Sequence, residues 1–307
     1  MKVFAPGKLV LTGAYAVLDG APAIVLATNR GAFADTGRTS PTATPEVRAA
    51  LGDVPAPHVD ASSLFLGARK LGLGASAAIV VASLGARDAE RGVDLAEPRV
   101  KDALFARARA AHSAAQGGGS GVDVAASVYG GVLEYRIDAP VVRTMLPAGL
   151  CWNVMACATS AKTAELRDMV AGLGTKDLAA YRRSMGELSE LAIDASRAVA
   201  EGNRERLLEA IRRTALALAR LGDVASAPIV PPELRILSEL AADEAAAFCV
   251  SGAGGGDVAI FAGSAPPSAA FLSRAKTLGL FPLDTSLDEK GVRVLSTSSA
   301  SFAVASA

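Results

Sequence analysis

The sequence predicts a mixed fold, α/β or α+β, built in two halves. Three observations predict it. Strand-like and helix-like segments are interspersed along the whole chain, which excludes all-helical and all-strand architectures. Apolar residues make up 51% of 307 residues, enough for a large core and against global disorder. Pro147-Ala148-Gly149 interrupts the pattern near the middle, so the halves are expected at 1–149 and 150–307.

The elements follow in order. Residues 2–12 and 21–29 are apolar and β-branched, and Leu18-Asp19-Gly20 marks a turn between them, so they read as paired strands. Residues 36–57 carry four prolines with several Thr and Ser and read as an exposed loop or short hairpin. Residues 76–90 and 98–115 read as helices, the second opened by Glu97-Pro98. The Gly117–Gly121 run interrupts, before a short helix over 122–129 and a strand over 131–137. In the second half, 151–158 reads as a strand, followed by helices near 162–172, 176–201 and 204–222. Leu178, Tyr181, Met185, Leu188, Ala192, Ala195 and Val199 mark one apolar face. Leu207, Ile211, Ala215, Leu218 and Leu221 mark another. Pro231-Pro232 opens a helix to about 245. A strand, a glycine-rich loop at 251–256, a strand at 258–262, a helix near 267–279 and terminal strands complete the chain.

Composition narrows the function. Lys plus Arg, 31, balances Asp plus Glu, 31, which argues against a generally basic nucleic-acid binder. Uninterrupted apolar stretches are shorter than the ~18–20 residues of a membrane span. The N-terminus enters a strand pattern at once, with no charged segment leading into an apolar one, so no signal peptide is expected. Cys151, Cys157 and Cys249 are few and odd in number, and read as reduced, buried residues of a cytoplasmic protein. Only His58 and His112 exist, and neither has zinc-ligand spacing with a cysteine.

Four segments carry candidate chemistry. In Gly72-Leu73-Gly74-Ala75-Ser76-Ala77-Ala78, two glycines permit close backbone approach to a ligand, and small residues leave a helix N-terminus uncovered. Such an end favours an anion such as phosphate. Without a Gly-Lys-Ser/Thr ending the run is no P-loop, and a tight turn is its plainer reading. Ser76 offers a hydroxyl to a phosphate oxygen or Mg²⁺, or else caps the helix. Ala5-Pro6-Gly7-Lys8 places a lysine inside an apolar strand, aimed at a phosphate or lying at a strand edge. Asp123 opens a helix after a run of small residues, as a carboxylate orienting a nucleophile or as a cap. Ser251-Gly252-Ala253-Gly254-Gly255-Gly256-Asp257 is too permissive for a simple hairpin and suggests close approach to a ligand or to the first half.

Together and in this order, Ala-Pro-Gly-Lys, Gly-Leu-Gly-Ala-Ser-Ala-Ala and Ser-Gly-Ala-Gly-Gly-Gly-Asp resemble the three motifs of the GHMP small-molecule kinases. The stretch from Ala111-His112-Ser113-Ala114-Ala115-Gln116-Gly117 into Gly119-Ser120-Gly121-Val122-Asp123-Val124-Ala125 is most similar to the phosphomevalonate kinases, of the plant and fungal type. The resemblance implies an α+β fold of two domains, a ribosomal-protein-like one and a ferredoxin-like one, with the active site in the cleft. It implies ATP and Mg²⁺ as cofactors and a small-molecule acceptor, with no nucleic acid or membrane partner and a monomer or homodimer. Backbone groups of Gly72, Leu73, Gly74, Ala75, Ser76, Ala77 and Ala78, with Lys70 beside them, would hold the ATP phosphates, and Ser76 the metal. Lys8 and Asp123 would be catalytic. Ser120, Gly121, Arg136, Ser160, Lys162 and Thr163, with Lys70 again, would meet the acceptor, and Ser251, Gly252, Ala253 and Gly254 would close the site. Mevalonate kinase, diphosphomevalonate decarboxylase, another small hydroxy-acid kinase and a non-catalytic sensor are the competing readings. The chain departs from the pattern at Ala75, where many relatives have serine, and at Gly118, where a lysine is usual.

Overall fold

The computed structural model describes residues 1–158 and 163–295. Strands β1 (Lys2–Thr12) and β2 (Ala23–Thr39) pair antiparallel, as their apolar patterns predict, but β2 runs on through Arg30–Thr39. The expected loop over 36–57 instead ends β2 and then forms helix α1 (Pro45–Leu51) and strand β3 (Pro57–Asp60), which pairs with β2. Thr44 caps that helix by accepting from Val47 N at 3.4 Å, and Pro45 starts it rather than breaking it.

Next come β4 (Phe65–Leu66), β5 (Arg69–Lys70), α2 (Ala75–Glu90), α3 (Pro98–Gln116) and α4 (Val122–Tyr129), then β6 (Val132–Tyr135) and β7 (Val142–Thr144). The second half supplies β8 (Cys151–Ala156), α5 (Thr163–Lys176), α6 (Leu178–Ala200), α7 (Arg204–Ala225) and α8 (Pro232–Asp243). It ends with β9 (Ala247–Val250), β10 (Val258–Gly263), α9 (Ala269–Thr277), β11 (Phe281–Leu283) and β12 (Arg293–Val294). The result is an α+β protein with two main antiparallel sheets, ordered β12-β1-β2-β6-β7 with β3 on β2, and β11-β8-β10-β9. Among the described residues no helix is long and apolar enough to cross a membrane.

Alternation along β1 and β2 divides the first core. Leu9, Leu11, Ile24 and Leu26 face one side and join the cluster that contains α2. Val10, Val25 and Ala27 face the other, with Val122, Ala125 and Ala126 of α4. Lys8 lies two residues before Val10 with no bulge between them, so it falls on the α4 side of the sheet. In the second half all five marked residues of α7 are buried, whereas Leu178 of α6 is 50% exposed. Phe248, Phe261 and Phe271 pack edge to face there, with centroids 5.4 and 4.9 Å apart.

The last segment, assigned from sequence to the second half, returns to the first sheet, where β12 pairs with β1. Asp288 anchors this return. Its backbone bonds Ala27 O and Gly131 N at 3.0 and 2.7 Å. Its buried carboxylate accepts from Lys290 N, Gly291 N and the Arg293 guanidinium at 3.1, 2.9 and 2.8 Å. Arg293 in turn lies 4.6 Å over the Phe4 ring. Removing one partner of such a buried network leaves the others unsatisfied. Asp288→Ala is expected to lower stability by about 3 kcal/mol in urea unfolding; a loss under about 0.5 kcal/mol would show that the return strand needs no anchor.

Candidate active site

Between the two sheets lies a cleft of about 750 Å³, lined from one side by Lys8, Gly74, Ser76 and Asp123 and from the other by Thr163, Arg167, Ser251 and Asp257. Its floor is the 72–76 loop. Gly74, at φ +78°, is the residue before α2, and no side chain caps that helix. The first bond of the helix is Ala78 N to Gly74 O at 3.0 Å, so the N–H groups of its first turn remain for a ligand. Ser76 is therefore not a cap. Leu73, Ala77 and Ala78, expected at the phosphates, are buried in the core behind the loop and do not line the cleft, whereas Gly72, Gly74, Ala75 and Ser76 do.

Space makes both glycines of the loop necessary. A Cβ on Gly74 would lie 3.0 Å from Lys8 Cγ and 3.5 Å from Asp123 Cβ, so its absence leaves room for both side chains beside the loop. A Cβ on Gly72 would lie 2.4 Å from that of Asp257. Lys8 Nζ donates to Gly72 O at 2.9 Å, and Lys8 N donates to Leu73 O at 2.9 Å. Burial pushes the Lys8 ammonium below the ordinary lysine value, while the charges of Asp123 and Asp257 pull it back up.

A second constellation surrounds Ser76. Its Oγ lies 3.0 Å from His112 Nε2, and that nitrogen is also 3.5 Å from Asp123 Oδ2. Gln116, one turn after His112 on α3, donates to Ser76 Oγ and to Glu46 Oε1, each at 3.0 Å. Burial works to raise the Glu46 carboxyl, but hydrogen bonds from Gln116, its own backbone and Thr44, together with His112, hold it below the usual carboxylate range. Asp123 Oδ1 accepts from Val124 N at 3.0 Å. Ser76 and Asp123 thus place two oxygen donors around one imidazole nitrogen beside an open helix end. That donor set fits Mg²⁺, which takes few protein oxygens and completes its shell with phosphates and water.

The closing loop belongs to both halves. Ser251 Oγ accepts from Val10 N at 2.9 Å, and Tyr15 Oη donates to Ala253 O at 2.8 Å. Gly252 approaches Lys8 Nζ: a Cβ there would sit 3.4 Å away. Lys70, Ser120, Gly121, Thr163, Ser251, Gly252, Ala253 and Gly254 all line the cleft. Arg136 does not; its Nε lies 3.4 Å from Glu134 Oε1, away from the lining. Ser160 and Lys162 fall outside the described residues. Cys157, whose carbonyl accepts from Arg69, is no nucleophile, because burial pushes its thiol up to about 12.

No protein-family model matches the chain. A curated phosphomevalonate kinase from Streptomyces sp. (strain CL190) is 30% identical, over 91% of this chain and 95% of its own length. The chain belongs to the GHMP kinase superfamily, a group of ATP-dependent small-molecule kinases. Solved structures agree on the fold of this GHMP kinase. A Lin0012 protein from Listeria innocua has a TM-score of 0.80 at 21% identity, covering 95% of this chain and 98% of that one. Streptococcus pneumoniae phosphomevalonate kinase, in complex with phosphomevalonate and AMPPNP, has a TM-score of 0.77 at 20% identity, covering 94% and 99%.

Reasoning from the sequence left out His112 as a partner of Ser76, Gln116 and Glu46 beyond it, and Arg167. The four-residue spacing of His112 and Gln116 on one helix face was the available signal. Because Gly72 combines φ +69° with a wall at Asp257, Gly72→Ala is expected to cost about 1–3 kcal/mol and to raise the KM for ATP. A variant with unchanged melting temperature and ATP kinetics would contradict this role of the loop.

Proposed function

We propose that this GHMP kinase transfers the γ-phosphoryl group of ATP to the phosphate of phosphomevalonate, giving diphosphomevalonate and ADP. The observation that carries the reading is the convergence of Lys8 and Asp123 on Gly74, at the open N-terminus of α2. The kinship with the Streptomyces enzyme, nearly end to end in both chains, supports the acceptor.

Phosphoryl transfer needs positioning and charge neutralisation more than covalent help. In this reading the 72–78 backbone and the α2 dipole hold the ATP phosphates, with Ser76 at the metal. Bound Mg²⁺ would neutralise charge on those phosphates. Lys8, set against the Gly72 carbonyl, stabilises charge on the group in flight. An oxygen of the acceptor phosphate bonds to the γ-phosphorus. The bond from that phosphorus to the β–γ bridging oxygen breaks, and its electron pair leaves with ADP. The acceptor oxygen is already ionised near neutral pH, so no strong base is required, and Asp123 sustains the charge of Lys8 and faces the His112 ring. Residues 1–149 supply most of the nucleotide side, and the 251–256 loop closes over Lys8. Three free cysteines suit a reducing, cytoplasmic setting.

Two tests follow. ADP release is expected with phosphomevalonate and not with mevalonate, diphosphomevalonate or simple sugars; activity on one of those acceptors without activity on phosphomevalonate refutes the assignment. Lys8→Met and Asp123→Asn are each expected to lower kcat about 10²–10³-fold with little change in ATP affinity. Wild-type turnover in either variant would remove that residue from the mechanism.

A further inference from the structure

Arg167, in the second turn of α5, is half-buried and lines the cleft. Its Nη1 donates to Gly118 O at 3.4 Å, a long bond to a neutral acceptor. No carboxylate pairs with it among the described residues. Three other cations among the described residues line the cleft. Lys8 has Asp123 and Asp257 nearby, Arg69 donates to the Cys157 carbonyl, and Lys70 is exposed, so water can solvate its charge. A half-buried guanidinium costs free energy unless an anion completes it.

The glycine run beside Arg167 leaves the room such an anion needs. Residues 117–119 carry no side chains, and a Cβ on Gly119 would lie 3.7 Å from Arg167 Nη1. The same run leads within four residues to Asp123. The guanidinium therefore faces the cleft beside an open stretch of backbone, and its planar fork matches two phosphate oxygens.

We infer that Arg167 recognises the anionic group of the acceptor and sets the preference for a phosphorylated over an unphosphorylated substrate. The inference rests on the phosphate-acceptor reading above. It gives Arg167 a different task from the 72–76 loop, which faces the nucleotide. Arg167 takes no part in bond making. It neutralises the acceptor and turns one of its oxygens toward the γ-phosphorus.

The test is steady-state kinetics of Arg167→Gln and Arg167→Lys, with phosphomevalonate and ATP varied separately and melting temperatures measured alongside. Arg167→Gln is expected to raise the KM for phosphomevalonate on the order of 10–100-fold, to leave the KM for ATP within about twofold, and to keep the melting temperature. Arg167→Lys, which keeps the charge and loses the fork, is expected to recover part of that loss. Three results overturn the inference: an unchanged acceptor KM, a rise in the ATP KM as large as that for the acceptor, or a fall in melting temperature that accounts for the loss in both variants. Wild-type enzyme that turns over no phosphomevalonate refutes the functional reading itself and takes the inference with it. Active wild type with an unaffected Arg167→Gln refutes the inference alone.

Discussion

The site depends on keeping one lysine ammonium charged in a place that disfavours charge. Lys8 leaves an apolar strand on the α4 side of the sheet and ends against the Gly72 carbonyl. Burial works against its charge, and Asp123 and Asp257 work for it. Each of those carboxylates comes from a different part of the chain, one from the start of α4 and the other from the end of the glycine-rich loop just before β10. Gly74 and Gly72 are the openings through which they approach. The glycines, the two carboxylates and the closing loop therefore answer one electrostatic requirement.

The packing enforces this arrangement. Helices α2 and α4 both pack against β1 and β2 and touch one another, and each begins at the cleft with a small-residue turn. Both helix N-termini thus lie near Lys8, which suits a site that handles phosphate charge. Ser251 and Tyr15 lock the second half onto β1 and the turn after it, and Asp288 brings the end of the chain back to the same sheet. These crossings join the two halves across the cleft without filling it.

Much of this was legible in the sequence, for reasons that differ by element. The face of α7 followed from its spacing alone, because all five of its marked residues repeat with the helical period and point into one core. Lys8, the 72–78 loop, Asp123 and the 251–257 loop were visible as motifs because close backbone approach restricts the residue types that fit. Helix α1 stayed hidden because Pro45 looks like a breaker until the Thr44 cap before it is recognised. Arg136 was misjudged for another reason: a sequence names a cation but not its direction, and Glu134 two residues away takes it. The link between His112 and Ser76 spans 36 residues and two helices, a relation created by tertiary packing. Arg167 was invisible on the same grounds, since only the fold brings α5 against the glycine run.

The claim that a charged lysine is forced into this site can be read from the lysine itself. The protein would be labelled with ¹³C at the lysine Cε, the Lys8 signal assigned by its loss in Lys8→Met, and its titration followed in the wild type and in Asp123→Asn. The account predicts a Lys8 pKa below 10.5 in the wild type and lower still once the Asp123 charge is removed. A Lys8 that titrates at 10.5 or above, or that ignores the loss of Asp123, would contradict it.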